Sequence, residues 1–193
     1  MPSTASPYGL IPVNHPSGVI RPFAMTIASG YAVNIFQNQP VRIAPSTAGG
    51  QTEGTIVAAA VGEAFIGTFQ GVEFTDGDGR RRVSNRWLAS TAATDIVAYV
   101  TIDQTITYQV QSNAQLNVAD IGKQYDFTAA SGNTTTGLST QALDVASAAA
   151  NASLRLIGVV PYPNNAFGDS NLPFVDALVQ ISEHQNTANV AAY

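Results

Sequence analysis

Hydrophobic residues in this chain fall in short runs broken by Gly, Pro, Asn and Ser, the pattern of β-strands joined by turns. The alternation is cleanest over 105–111, where Ile106, Tyr108 and Val110 share one face. Residues 96–101, 154–160 and 174–181 read as further strands, and 41–44, 55–60, 125–127 and 143–145 as shorter ones. Over 64–74 the alternation puts Phe65 and Phe69 on one face together with Gly67 and Gly71. The apolar set then changes face near Gly71, which predicts a bulge. Asp76-Gly77-Asp78-Gly79 predicts a hairpin turn, because Asp-Gly pairs supply the positive φ that a tight turn requires, and 80–87 returns as the partner strand. Residues 45–50 and 129–142 read as a turn and a surface loop, and 118–123 as a single helical turn. The only helix-like composition lies over 142–152, and its Ser and Asn weaken it.

Residues 1–40 differ from the rest. Prolines at 2, 7, 12, 16, 22 and 40 leave no room for a helix of normal length, yet Tyr8, Leu10, Ile11, Val13, Val19, Ile20, Phe23 and Met25 are too apolar for a linker. The segment predicts an extended arm, ordered by lying on its own domain or on a neighbouring subunit. The organisation expected is therefore an arm over 1–40, one domain over 41–183 and a tail over 184–193. About ten short strands without a credible helix make that domain all-β, a β-sandwich or jelly-roll-like fold or a barrel.

Charge changes this picture in one respect. Only 11% of residues are Asp, Glu, Lys or Arg, less than half the roughly 25% usual in globular chains. Such a surface suits a protein covered by neighbours. The net charge of −5 argues against wrapping nucleic acid or an anionic membrane. No apolar run approaches the roughly 18 residues needed to span a bilayer, and the N-terminus lacks the features of a signal peptide. Synthesis and use inside the producing cell, or release on its lysis, is the expectation.

Candidate chemistry is sparse. The chain has no Cys, which removes disulfides and thiolate sites. His15 and His184 lie at no metal-ligand spacing and are expected at a surface or interface. No Gly-x-Ser-x-Gly elbow occurs. Asp76 and Asp78 could share a cation, but the hairpin turn explains them without one. Asp95, Asp103, Asp120 and Asp126 are scattered, and one Trp supplies little for a sugar-stacking cleft. Four of the eight basic residues, Arg80, Arg81, Arg82 and Arg86, are concentrated on the predicted return strand. Alternation would place Arg80, Arg82 and Arg86 on one face, to meet a neighbour's carboxylates or to guard a solvated edge. No catalytic residue, cofactor or metal ligand is assigned, and the expectation is a protein that is not an enzyme.

Function enters by resemblance. Pro7-Tyr8-Gly9-Leu10-Ile11-Pro12-Val13 resembles the Pro-Tyr-Gly-Leu-x-Pro-Val start of a family of tailed-phage capsid decoration, or cement, proteins. The blocks 67–76, 79–85, 95–100, 120–124 and 132–140 resemble that family's later segments in the same order. The resemblance implies a virion structural protein on the outer surface of an HK97-type shell, made in the bacterial host cytoplasm. It also implies that the protein bridges major capsid subunits and its own copies, as a dimer or trimer. The contact residues expected are Tyr8, Leu10, Ile11, Val13 and Phe23 in the arm and Arg80, Arg82 and Arg86 in the hairpin. The alternative is a carbohydrate- or receptor-binding β-module of a fibre or host-adhesion structure.

Overall fold

The computed structural model describes residues 4–45, 53–168 and 173–187. The predicted turn over 45–50 lies outside them from residue 46 onward, as does the expected tail over 184–193 from residue 188 onward. In chain order the strands are β1 (Ile11–Asn14), β2 (Phe23–Met25), β3 (Ile35–Phe36), β4 (Pro40–Ile43), β5 (Ile56–Ala58), β6 (Gly67–Thr75) and β7 (Arg81–Ser84). They continue with β8 (Arg86–Trp87), β9 (Thr94–Thr101), β10 (Thr107–Gln111), β11 (Gln124–Phe127), β12 (Leu143–Ala149), β13 (Leu154–Val159) and β14 (Asp176–Ile181). A single 3-10 turn at Val118–Asp120 matches the predicted helical turn. The fold is all-β, as the periodicity requires.

Two large antiparallel sheets carry the fold, beside a two-stranded β3-β8 sheet. One runs β1-β10-β14-β13-β11-β12, and the other β2-β9-β6-β4-β5, with β7 added beside β6. The first curls until the segment past β10 reaches β12, and the second until β2 reaches β5. In the first sheet Ser112, just past β10, bridges Leu143 at the start of β12. In the second, Thr26 bridges Thr55, with Ile56 N donating to the Thr26 carbonyl at 2.8 Å. Such bridging covers most strand edges and leaves β1 at the margin of the first sheet.

Each closed sheet surrounds its own hydrophobic cluster. Tyr108, Val110, Phe127, Leu154, Leu156, Ala177 and Val179 fill the first. Val41, Ile56, Phe69, Val72, Trp87, Ala98 and Val100 fill the second. The alternation expected for β10 is met in full, since Ile106, Tyr108 and Val110 are all buried in the first cluster.

The two clusters meet where the chain enters β6. Here the expectation that Phe65 and Phe69 share a face is corrected: Phe65 belongs to the first cluster, and Ile66 and Phe69 to the second. Phe65 precedes β6, at the crossing between the sheets, so one strand's alternation does not govern both rings. Gly67 marks the crossing. A Cβ there would lie 1.5 Å from the Thr101 carbonyl oxygen, so only glycine permits the approach. Beside it Thr68, Thr101 and Tyr108 form a buried hydroxyl chain, with O···O distances of 2.9 and 3.2 Å. The predicted bulge in β6 is present, between Phe69 and Gly71.

The helix-like stretch over 142–152 is strand through most of its length: β12 covers Leu143–Ala149. Its pairing with β11 is bulged, and Ser147 fills the bulge. Its hydroxyl accepts from Asp126 N at 2.7 Å and donates to the Asp144 carbonyl at 2.6 Å. Side-chain hydrogen bonds to the backbone, which Ser and Asp offer readily, override alanine's helical preference here.

Candidate contact surface

The N-terminal segment does not leave the domain. It supplies β1 to the first sheet and β2 to the second, so residues 11–25 hold the two rings side by side. The Tyr8-Gly9-Leu10-Ile11 motif is the lock. Tyr8 donates its hydroxyl hydrogen to Asp176 at 2.8 Å and accepts from the Gln109 amide at 2.9 Å. Burial, reinforced by the Asp176 carboxylate, pushes the Tyr8 phenol well above its ordinary pKa. Gly9 adopts φ +79°, and a Cβ there would stand 2.5 Å from the Asn38 carbonyl oxygen. Leu10 is fully buried in the first cluster, and its N–H donates to Asn38 O at 2.9 Å.

The expected arm contacts therefore separate. Leu10 is a core residue with no surface to offer. Tyr8 and Ile11 are half-buried against β10 and β14. Val13 at 42% and Phe23 at 52% exposure remain open, and Val19 joins them at 53%. Val13 lies in β1, Phe23 in β2 and Val19 on the strap between them, and Val19 and Phe23 share a cleft with Arg21 and Ile106.

His15 pins that strap. Its Nε2 lies 3.1 Å from the Asp103 carboxylate, and its Nδ1 accepts from Ser17 N at 3.1 Å. The Ser17 hydroxyl lies 2.6 Å from Nδ1 and contacts the Val19 carbonyl at 3.3 Å. Thr105 donates both its N–H and its hydroxyl hydrogen to Asp103, which with His15 holds that carboxyl below the usual range. The group reads as a turn clamp. His184, expected at a surface or interface, is buried inside the chain instead, and this too is a correction. Its Nε2 faces the Ile102 carbonyl at 3.0 Å and its Nδ1 accepts from Asn186 N at 3.1 Å, which fixes a neutral tautomer. Burial pushes its pKa down.

The hairpin forms where the Asp-Gly pairs predicted it. One Asp76 oxygen accepts from the N–H groups of Asp78 and Arg80, at 3.1 and 2.9 Å, and the other meets Arg82 at 2.7 Å. Both oxygens serve the turn, and the Arg82 guanidinium holds the Asp76 carboxyl below the usual range. Among the described residues no cluster of three or more metal-ligating His, Cys, Asp or Glu side chains occurs.

The arginines do not form one face. The strand breaks at Asn85: β7 pairs with β6, while β8 pairs with β3, where Trp87 is buried. Arg81 meets Glu73 at 3.0 Å and the Asp95 carbonyl at 2.8 Å, and Arg86 reaches the Thr135 carbonyl at 3.4 Å. Asn85 donates to the Thr136 carbonyl at 2.9 Å, so the β7–β8 junction clamps the predicted loop over 129–142. Arg82 and Arg86 are thus occupied within the chain. Arg80 is exposed and forms no ion pair among the described residues.

Sequence reading missed this division of labour. The signal available was Gly9, whose position between two large residues marks a close backbone approach. Comparisons with protein-family models, with curated proteins and with solved structures give no match to this chain.

Proposed function

We propose that this protein is a non-enzymatic virion protein that binds the outer surface of a tailed-phage capsid and cements the shell. The observation that carries the reading is the ordered set of sequence blocks resembling the decoration family, from Pro7 to Thr140. The weakly charged surface fits a protein that ends up among neighbours. So does the open apolar group of Val13, Val19 and Phe23.

In this reading the major capsid protein and further copies of the chain are the partners, and the virion exterior is the location. The contacts fall on Val13, Val19, Phe23 and Arg80, the members of the two candidate segments with side chains left over. Several weak patches suffice, because each contact after the first forms at high effective concentration.

The test uses the full chain with purified expanded heads of the parent phage, prepared without this protein. Expected are saturable co-sedimentation and a higher melting temperature of the shell. Phe23→Asp combined with Arg80→Glu should weaken binding at least tenfold while leaving the unfolding midpoint of the free protein near that of the parent chain. Absence of co-sedimentation at micromolar protein would overturn the reading. Binding to a glycan array by a chain that ignores the heads would instead support the adhesion-module alternative.

A further inference from the structure

The hairpin tip holds two identical dipeptides, Asp76-Gly77 and Asp78-Gly79, in different surroundings. An Asp-Gly bond is the pairing in which an aspartate most readily closes on its own backbone, because glycine has no Cβ to shield the attacking nitrogen. No neighbour shields either nitrogen here: a Cβ built at Gly77 or Gly79 would meet nothing within 4 Å. Residues 77–83 are all exposed. The two aspartates differ in what holds their carboxylates.

Asp76 is occupied by the turn. It accepts three hydrogen bonds, from Asp78 N, Arg80 N and Arg82 Nε. The Arg82 guanidinium keeps it anionic, and a carboxylate anion is a poor electrophile. Asp78 has no such hold. Its carboxylate accepts no hydrogen bond and joins no ion pair among the described residues. The nitrogen that would attack it, Gly79 N, is restrained by one bond, donated to the Asp76 carbonyl at 3.0 Å. Opening the tip over 77–79 breaks that bond while Arg80 N and Arg82 still hold Asp76. Exposed loop tips are where such local opening is easiest.

We propose that Asp78 is a site of spontaneous conversion to isoaspartate, and that the turn protects Asp76 from the same reaction. Gly79 N forms a bond to Cγ of the neutral Asp78 carboxyl. The carboxyl hydroxyl and the nitrogen's proton leave together as water, and a five-membered cyclic imide remains. Water then opens the imide. Addition at Cγ restores aspartate. Addition at the former peptide carbonyl breaks that C–N bond, frees the Asp78 α-carboxylate and leaves the main chain running through Cβ and Cγ. The net mass is unchanged, and the reaction needs only water. The main chain gains one methylene in the turn that leads to Arg80 and β7. The conversion is a property of the chain itself, so it holds or fails independently of binding to a shell.

The test stores the full chain in warm, mildly acidic buffer, both folded and unfolded in guanidinium chloride. Tryptic digestion and electron-transfer mass spectrometry then locate isoaspartate by residue. The unfolded chain, without the turn, should convert at both aspartates. The folded chain should convert at Asp78, and about tenfold more slowly at Asp76. Arg82→Gln should raise conversion at Asp76 several-fold and leave Asp78 unchanged. Asp78→Glu, whose imide ring would be six-membered, should abolish conversion at its own position. A folded chain that stays unconverted at Asp78 while the unfolded chain converts there overturns the proposal. So does equal conversion of Asp76 and Asp78 in the folded chain. Should Arg82→Gln disturb the hairpin, the folded and unfolded parent chain still decide between these outcomes.

Discussion

Gly67 and His184 show how single positions are fixed by the crossing between the two closed sheets. At Gly67 any side chain would collide with the Thr101 carbonyl, and that backbone cannot yield without breaking β6 from β9. Gly67→Ala should cost on the order of 3 kcal/mol or more in urea unfolding. Gly18, with nothing within 4 Å of its absent Cβ, is the control for positive φ alone. His184 gives a pH dependence. Its folded pKa lies below its ordinary value of 6.5 because burial disfavours the imidazolium. The unfolded chain therefore takes up a proton first. Stability from this group is complete above pH 6.5 and declines as pH falls through that value toward the folded pKa. Asp103, which favours the cation, and the Ile102 carbonyl face the ring and limit the shift. The urea midpoint should drop between pH 7 and pH 5, and His184→Gln should flatten that slope; an unchanged slope would rule the histidine out as its source.

Among the elements, β1 shows why a Pro-rich segment can be structural. Pro12 cannot donate to a ladder, which suits an edge strand, and β1 is the outermost strand of its sheet. The affinity of the strand for the domain comes from the residues just before it. Leu10→Ala should destabilise the fold by about 2–5 kcal/mol through a cavity in the first cluster. Tyr8→Phe, losing the hydrogen bonds to Asp176 and Gln109, should cost about 1–2 kcal/mol. Both effects should be read from the fluorescence of Trp87, the single Trp, which sits in the other cluster. A matching shift by far-UV circular dichroism would show that the clusters unfold together. At this scale the alternation of β10 was legible, and so were the apolar runs of β4, β5, β9, β11, β13 and β14. The short strands β1, β2 and β3 were not, because no alternation develops over the 4, 3 and 2 residues they span.

Considered as a whole, the molecule places its two rings in contact through the Thr68–Thr101–Tyr108 hydroxyls and the N-terminal strap. This bears on how capsid binding should be probed. Removing residues 1–22 would take away β1, Leu10 and Tyr8, and so would perturb the fold along with any contact. Point substitutions at Phe23 and Arg80 separate the two effects, which is why the binding prediction rests on them. The low charge content leaves the exterior to Thr, Ser, Asn and scattered apolar groups. That exterior was readable from composition, whereas the exposure of Val13, Val19 and Phe23 was not, since Leu10 in the same segment is buried and Ile11 half-buried.

By itself the sequence determined the all-β class, the hairpin at Asp76 to Gly79, the single 3-10 turn and the inward face of β10. Each of these follows from local rules, namely side-chain alternation or the positive φ and side-chain acceptors that turns require. Tertiary structure alone decided that the two large sheets have separate cores, that Phe65 and Phe69 part company at Gly67, and that the strand begun at 143–145 runs on to Ala149. It also decided which arginines are spent on Asp76, Glu73 and Thr135. The physical reason is the same in each case. Closure of a sheet and the partner of a polar group depend on residues far apart in sequence, and no local pattern encodes that distance.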